Sequence, residues 1–133
     1  MIVVDASVLV VALADDGQDG DDARLRLRGE RLAAPALIDL EVVSVLRRQL
    51  RQGELNDRRA AQALSDLTSL PLQRASQLTL LDRCWELTDD LTVYDAAYVA
   101  LAEALDTSLL TGNARLSRST GPRCPIETFR STT

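Results

Sequence analysis

Three features of the sequence predict an α/β protein, a three-layer α/β/α sandwich around a mostly parallel sheet. Short apolar, β-branched runs alternate with segments of helical periodicity, the first run ends directly on an acid, and Gly, Pro, Asn or Asp punctuate the boundaries. Strands buried on both faces read as continuous apolar runs, and parallel neighbours need crossovers, here helical and right-handed.

In chain order, Met1 to Val4 predicts the first strand, with Asp5 at its C-terminal end. Ala6 to Leu13 stays apolar and predicts a helix, broken by the stretch Asp15 to Asp22, which is expected as an exposed acidic loop. An Arg-rich amphipathic piece, Ala23 to Gly29, leads to a second strand at Leu32-Ala33-Ala34. Pro35 is suited to open the next helix, which carries Glu41 and runs to about Gln52, where Gly53 can stop it. Asn56 to Ser69 has a helical pattern, with Asn56 or Asp57 as N-cap and Ala60, Ala63, Leu64 and Leu67 on one side. Leu70-Pro71-Leu72 reads as an extended link or edge strand before a partner helix from about Gln77 to Asp89. Tyr94 to Leu105 predicts an alanine-rich helix starting at Asp95, followed by strands at Ser108 to Thr111 and Ile126 to Phe129.

The chain has 133 residues, 46% of them hydrophobic, enough for one core; a single domain over 1–133 is expected. No apolar stretch reaches membrane-spanning length, so a soluble, unprocessed protein in the cytoplasm is expected. Cys84 and Cys124 are far apart in sequence and read as ordinary thiols.

Two absences narrow the chemistry. The chain has no histidine, and all 15 basic residues are arginine. A Ser-His-Asp triad, a histidine-based ribonuclease mechanism, a Walker lysine and a Schiff base are therefore excluded. Catalysis must rest on carboxylates, hydroxyls, cysteine, arginine or a metal. The net charge of −5 argues against a general nucleic-acid coat protein, although local arginine clusters can still hold one RNA. Arginine without lysine fits a GC-rich genome equally well.

Ligand sites of open α/β sheets lie beyond the C-terminal strand ends. There the sequence puts Asp5 after the first strand, Glu41 early in the helix after the second, Asp95 at the start of a later helix, and Asn113 after the strand ending at Thr111. Carboxylates brought together there repel unless a cation sits among them, and oxygen ligands suit Mg2+ or Mn2+. Each residue has a plainer reading too. Asp95 suits a helix N-cap, Glu41 suits the positive end of a helix dipole, and Asn113 suits a turn. Asp5, closing an apolar strand in a chain without lysine, could instead pair with an arginine or with backbone amides. Ser7 reads as a capping hydroxyl or as a partner of Asp5. The acids from Asp15 to Asp22 read as a solvated loop, and with one Trp, two Tyr and one Phe, aromatic stacking can contribute little.

Four ordered segments, Ile2-Val3-Val4-Asp5-Ala6-Ser7, Pro35-Ala36-Leu37-Ile38-Asp39-Leu40-Glu41-Val42, Tyr94-Asp95-Ala96-Ala97-Tyr98-Val99-Ala100-Leu101-Ala102 and Leu109-Leu110-Thr111-Gly112-Asn113-Ala114-Arg115-Leu116, together resemble a PIN domain, most closely the VapC-type toxins. The likeness covers nearly the whole chain. It implies a Mg2+- or Mn2+-dependent endoribonuclease, with Asp5, Glu41 and Asp95 as metal ligands and Asn113 as a fourth catalytic position. Ser7 and Thr111 would support the site, and Arg115 would hold a flanking phosphate. Arg47, Arg48 and Arg51 are weaker phosphate candidates or a solvated helix face. The resemblance further implies an RNA substrate, a homodimer and a small antitoxin that blocks the site. The helices between Asn56 and Asp89 exceed what a minimal parallel sheet needs for cover, so dimerisation is expected through their apolar surface, and the acidic charge of the site, taken with the resemblance, predicts that the antitoxin inserts an arginine there. Leu9, Leu13 and the apolar side of the Glu41 helix are expected walls of the antitoxin groove. Asn113 stands where that family often has aspartate, which leaves open a PIN domain that binds RNA or protein without cleaving.

Overall fold

The computed structural model describes residues 1–130; the end of the expected domain, 131–133, lies outside the described residues. Five strands form one sheet in the order β3-β2-β1-β4-β5: β1 (Ile2–Val4), β2 (Leu32–Pro35), β3 (Leu72–Ala75), β4 (Leu109–Thr111) and β5 (Ile126–Thr128). Every pairing among the described residues is parallel. The central strands are buried on both faces, as their unbroken apolar runs require.

Among the described residues seven helices cover the sheet: α1 (Ala6–Ala14), α2 (Gln18–Leu27), α3 (Ile38–Arg51), α4 (Asp57–Ser69), α5 (Leu81–Leu87), α6 (Val93–Ala104) and α7 (Ala114–Ser117). Helix α1 packs against α2, α3 and α4; α5 packs against α6, which lies on β1, β2 and β4. One contiguous core joins them, from Val3, Val4, Val8 and Leu9 through Ile38 and Val42 to Ala96, Val99, Leu109 and Leu110. As expected, Asn56 caps α4 by accepting from the Arg59 amide at 2.7 Å, and Gly53 follows α3 at φ 76°, a left-handed conformation that glycine adopts without strain.

Several boundaries differ from expectation. The stretch Asp15 to Asp22 is not a loop: α2 begins within it, at Gln18. The Asp15 carboxylate accepts from the amides of Gly17 at 3.2 Å and Gly20 at 2.7 Å, satisfying helix-start donors from outside the helix. Gly20 is there for contact and not as a breaker, because a Cβ on it would meet the Asp15 carbonyl oxygen at 1.8 Å. Asp19 is buried rather than solvated. Pro35 does not open α3; it ends β2 opposite Ala75. The Ala36 amide bonds the Ala75 carbonyl on the β3 side, so Pro35's missing N–H faces β1, whose pairing with β2 has already ended at Ala33. The edge strand is Leu72–Ala75 rather than the Leu70–Leu72 link. The expected helix from Gln77 to Asp89 is a 3-10 turn at Leu78–Leu80 followed by the shorter α5. Both thiols are free and their pKa values are raised by burial.

Candidate active site

The C-terminal ends of β1 and β4 carry the centre of the site. Asp5 leaves β1 in extended conformation, caps α1 by accepting from the Val8 amide at 3.3 Å, and is only 7% exposed. Both its oxygens are occupied by hydroxyls: Ser7 Oγ donates to Oδ1 at 2.5 Å, and the buried Thr111 hydroxyl donates to Oδ2. Ser7 in turn accepts from the Gly112 amide at 2.8 Å. A Cβ on Gly112 would stand 2.9 Å from Ser7 Oγ, so glycine lets the β4–α7 turn close onto α1. Thr111 also accepts from the Asn113 amide at 3.0 Å. Burial raises the Asp5 pKa; its hydrogen bonds from Ser7, Thr111 and Val8 oppose that shift, and the charge of Asp95 adds to it.

Glu41 lies in the first turn of α3, whose start is tied to the edge strand by Arg74, with Nε 3.0 Å from the Asp39 carboxylate. Its carboxylate accepts from the Tyr98 hydroxyl at 2.5 Å. Burial raises the Glu41 pKa; the Tyr98 bond offsets part of this, while Asp5 and Asp95 push it further up. Asp5 and Glu41 thus both lie within reach of the charge of Asp95, and Glu41 within reach of that of Asp5. Asp95 is not the cap of its helix, since Thr92 caps α6 by accepting the Asp95 amide at 3.1 Å. The plainer role for Asp95 is therefore taken by another residue.

Among the described residues no group of three acidic or thiol side chains is gathered closely enough to hold an ion as it stands. Asp5 and Glu41 are instead turned to hydroxyl donors. No arginine pairs with Asp5, Glu41 or Asp95 among the described residues; the ion-paired arginines lie elsewhere, on Asp16, Asp21, Asp39, Glu86, Glu103 and Glu127 among others. Three oxygen donors without a protein cation fit Mg2+ or Mn2+, which keep several waters and need only one or two carboxylates plus substrate oxygens.

Asn113 caps α7 with its own side chain, accepting from the Arg115 amide at 3.1 Å, so its oxygen is engaged within its own turn. Arg115 is exposed beside it and makes no side-chain bond among the described residues. Asp95, Asn113 and Arg115 share the lining of a cavity of about 350 Å3 that extends to the α5–α6 loop. Leu9 and Leu13 line a cavity of about 550 Å3 with Leu27, Leu32 and Pro71, whose lining does not include Asp5, Glu41 or Asp95. The exposed side of α3 offers a groove formed by Leu40, Val43, Arg47, Arg48 and Arg51.

Tyr98 was not among the residues singled out from the sequence. The signal was present, because Tyr98 stands three positions after Asp95 and so shares its helix face. Two aromatic side chains, Trp85 at 79% and Tyr94 at 60%, are exposed, so stacking surface exists despite the low aromatic content.

Unpaired carboxylates at the C-terminal edge of a parallel sheet define a class of α/β proteins with an oxygen-donor site at the strand ends. Known proteins make the class definite. The PIN domain family model matches residues 2–121. Ribonuclease VapC9 of Mycobacterium tuberculosis is 43% identical over 126 residues, covering 95% of this chain and 96% of that protein. Ribonuclease VapC1 of the same organism is 40% identical over 129 residues, covering 96% and 97%. The crystal structure of PAE2754 from Pyrobaculum aerophilum superposes with a TM-score of 0.68 at 26% identity, covering 94% of this chain and 81% of that one. The chain belongs to the PIN domain family, among its VapC-type ribonucleases.

Proposed function

We propose that the chain is a Mg2+- or Mn2+-dependent endoribonuclease that acts in the cytoplasm as the toxin of a toxin–antitoxin pair. The observation that carries this is the buried Asp5 carboxylate, whose charge acts on Glu41 and which feels that of Asp95, with no arginine paired to any of the three among the described residues. Asp5, Glu41 and Asp95 would hold the ion. When bound, it supplies Lewis-acid chemistry and charge compensation at a phosphodiester. The chain's own residues do the rest. Ser7 and Thr111 hold Asp5 from both sides, and Tyr98 fixes the direction of Glu41. Asn113 shapes the turn that presents Arg115, whose planar fork can clasp a phosphate beside the scissile one. Arg47, Arg48 and Arg51 are exposed and lack ion-pair partners among the described residues, so they can steer an RNA backbone toward Glu41.

The groove on α3 suits an antitoxin segment that lays apolar residues on Leu40, which is 77% exposed, and on Val43, and inserts an arginine toward the unpaired acids. Leu78, Leu81 and Trp85 are all exposed at helical spacing, and they supply the face for a homodimer within the 56–89 segment.

A second reading, a PIN domain that binds RNA without cleaving, is favoured by the engagement of the Asn113 oxygen within its own turn. Incubating single-stranded RNA with the protein and Mg2+ or Mn2+, beside Asp5→Asn and a chelated control, separates the two. Metal-dependent cleavage lost in Asp5→Asn supports the enzyme. Equal RNA binding without cleavage by either protein supports the silent domain.

A further inference from the structure

The cavity that adjoins Asp95 is lined by neither Asp5 nor Glu41. Its volume of about 350 Å3 lies within the range used by small ligands. Asp95 and Asn113 form the wall it shares with the catalytic set, and the far wall is Thr88, Asp89, Asp90 and Thr92 from the α5–α6 loop. Arg115 reaches in from α7. Leu91 and Leu116 are both buried and give the loop and α7 a fixed apolar backing. The Asp89 carboxylate has no hydrogen-bond or ion-pair partner among the described residues, and the Asp90 carboxylate has only a long contact from the Thr120 hydroxyl at 3.5 Å.

We propose that this cavity takes the nucleobase next to the scissile phosphate and that Asp89 and Asp90 select guanine there. The assignment rests on the ribonuclease reading of the neighbouring acids and adds to it the base that is read. The far wall is rich in acceptors, because ionised carboxylates only accept hydrogen bonds. A bare acidic pocket is unfavourable for phosphate, so the part of RNA that fits it is a base edge that donates. Guanine presents two adjacent donors, N1–H and the N2 amino group, which match the two oxygens of one carboxylate. Adenine and cytosine present a single amino group on that edge, and uracil a single N–H between two carbonyls. Single-stranded RNA is recognised through splayed bases bonded on these edges. Arg115, the one cation in the lining, is left for the adjoining phosphate.

The test uses four short single-stranded RNAs that differ only in the base beside the cleavage position. Each is measured for cleavage with Mg2+ or Mn2+, and for binding with a 2′-O-methyl group at the scissile nucleotide. Wild type should favour the guanine oligonucleotide over the mean of the others by roughly 5- to 150-fold in kcat/KM, the span of a good bidentate base contact. In Asp89→Asn and Asp90→Asn, read separately, at least one ratio should fall toward one. Loss of the ratio with the melting temperature unchanged excludes a folding defect. Equal use of all four bases by wild type, or a guanine preference that survives both substitutions, overturns the proposal. If nothing is cleaved, the ribonuclease reading fails, and the binding ratio still decides whether the cavity reads guanine.

Discussion

Tyr98 supplies the sharpest test of how the site is held together. Tyr98→Phe removes one buried oxygen and the hydrogen bond that its hydroxyl donates to Glu41 at 2.5 Å, leaving the ring and its packing in α6 intact. Hydrogen bonds to charged groups contribute roughly 1.5–3 kcal/mol. Glu41 is only partly buried, so water can replace part of the lost bond and the cost falls to about 1–2 kcal/mol. For a chain of this length each 1 kcal/mol moves the melting temperature by about 4 °C, which gives a drop of about 4–8 °C by differential scanning calorimetry. The same substitution frees the carboxylate to swing, and loss of such a supporting partner typically weakens metal binding about 10- to 100-fold. Manganese titration of the variant reads that term separately from folding. A melting temperature within about 1 °C of wild type together with unchanged Mn2+ affinity would refute the argument that Tyr98 orients Glu41.

Gly20→Ala should cost about 1–3 kcal/mol in urea unfolding, because the new methyl meets the Asp15 carbonyl and neither backbone can move freely; full stability would mean that α1 and α2 are not in that contact. Glu103 gives a pH-dependent prediction. Burial pushes its pKa up, but the hydrogen bonds from the Arg83 guanidinium and the Arg123 amide, with the charges of both arginines, outweigh it and hold the carboxyl below its usual 4.5. Its contribution is therefore present above about pH 4.5 and is lost as pH falls through the lowered folded-state value. The stability gap between wild type and Arg83→Met should thus be constant from pH 6 to 8 and close in acid, and a gap that widens in acid would contradict this. Tyr94, exposed and adjacent to Asp95, should stack on an RNA base; Tyr94→Ala should raise KM roughly 5- to 150-fold with kcat nearly kept, and Tyr94→Phe should restore it.

The sheet was legible because its strands are buried on both faces, so each is a short apolar run whose end is marked by a polar residue: Asp5 after Val4, Gly112 after Thr111. The acids that follow strands were legible for the same reason, and the charge of Asp95 reaches both Asp5 and Glu41. Helix α2 was not legible. Its sequence is polar and carries Gly20, and what makes it helical is tertiary: capping by Asp15 and close contact with α1. Arg59 illustrates the same limit. Its place on α4 suggests a solvated charge, yet it bonds the Asp16 carboxylate and the Leu13 carbonyl. The α5–α6 loop cavity depends on which loop faces α7, information that no local pattern carries.

The central claim is that Asp5, Glu41 and Asp95 form one cation site, and Mn2+ binding to the intact protein tests it most directly. Calorimetric titration of wild type, Asp5→Asn, Glu41→Gln and Asp95→Asn, each shown folded by circular dichroism, should give one binding event that every substitution weakens at least tenfold. A binding event untouched by any one of the three would remove that residue from the site, and one untouched by all three would contradict the account.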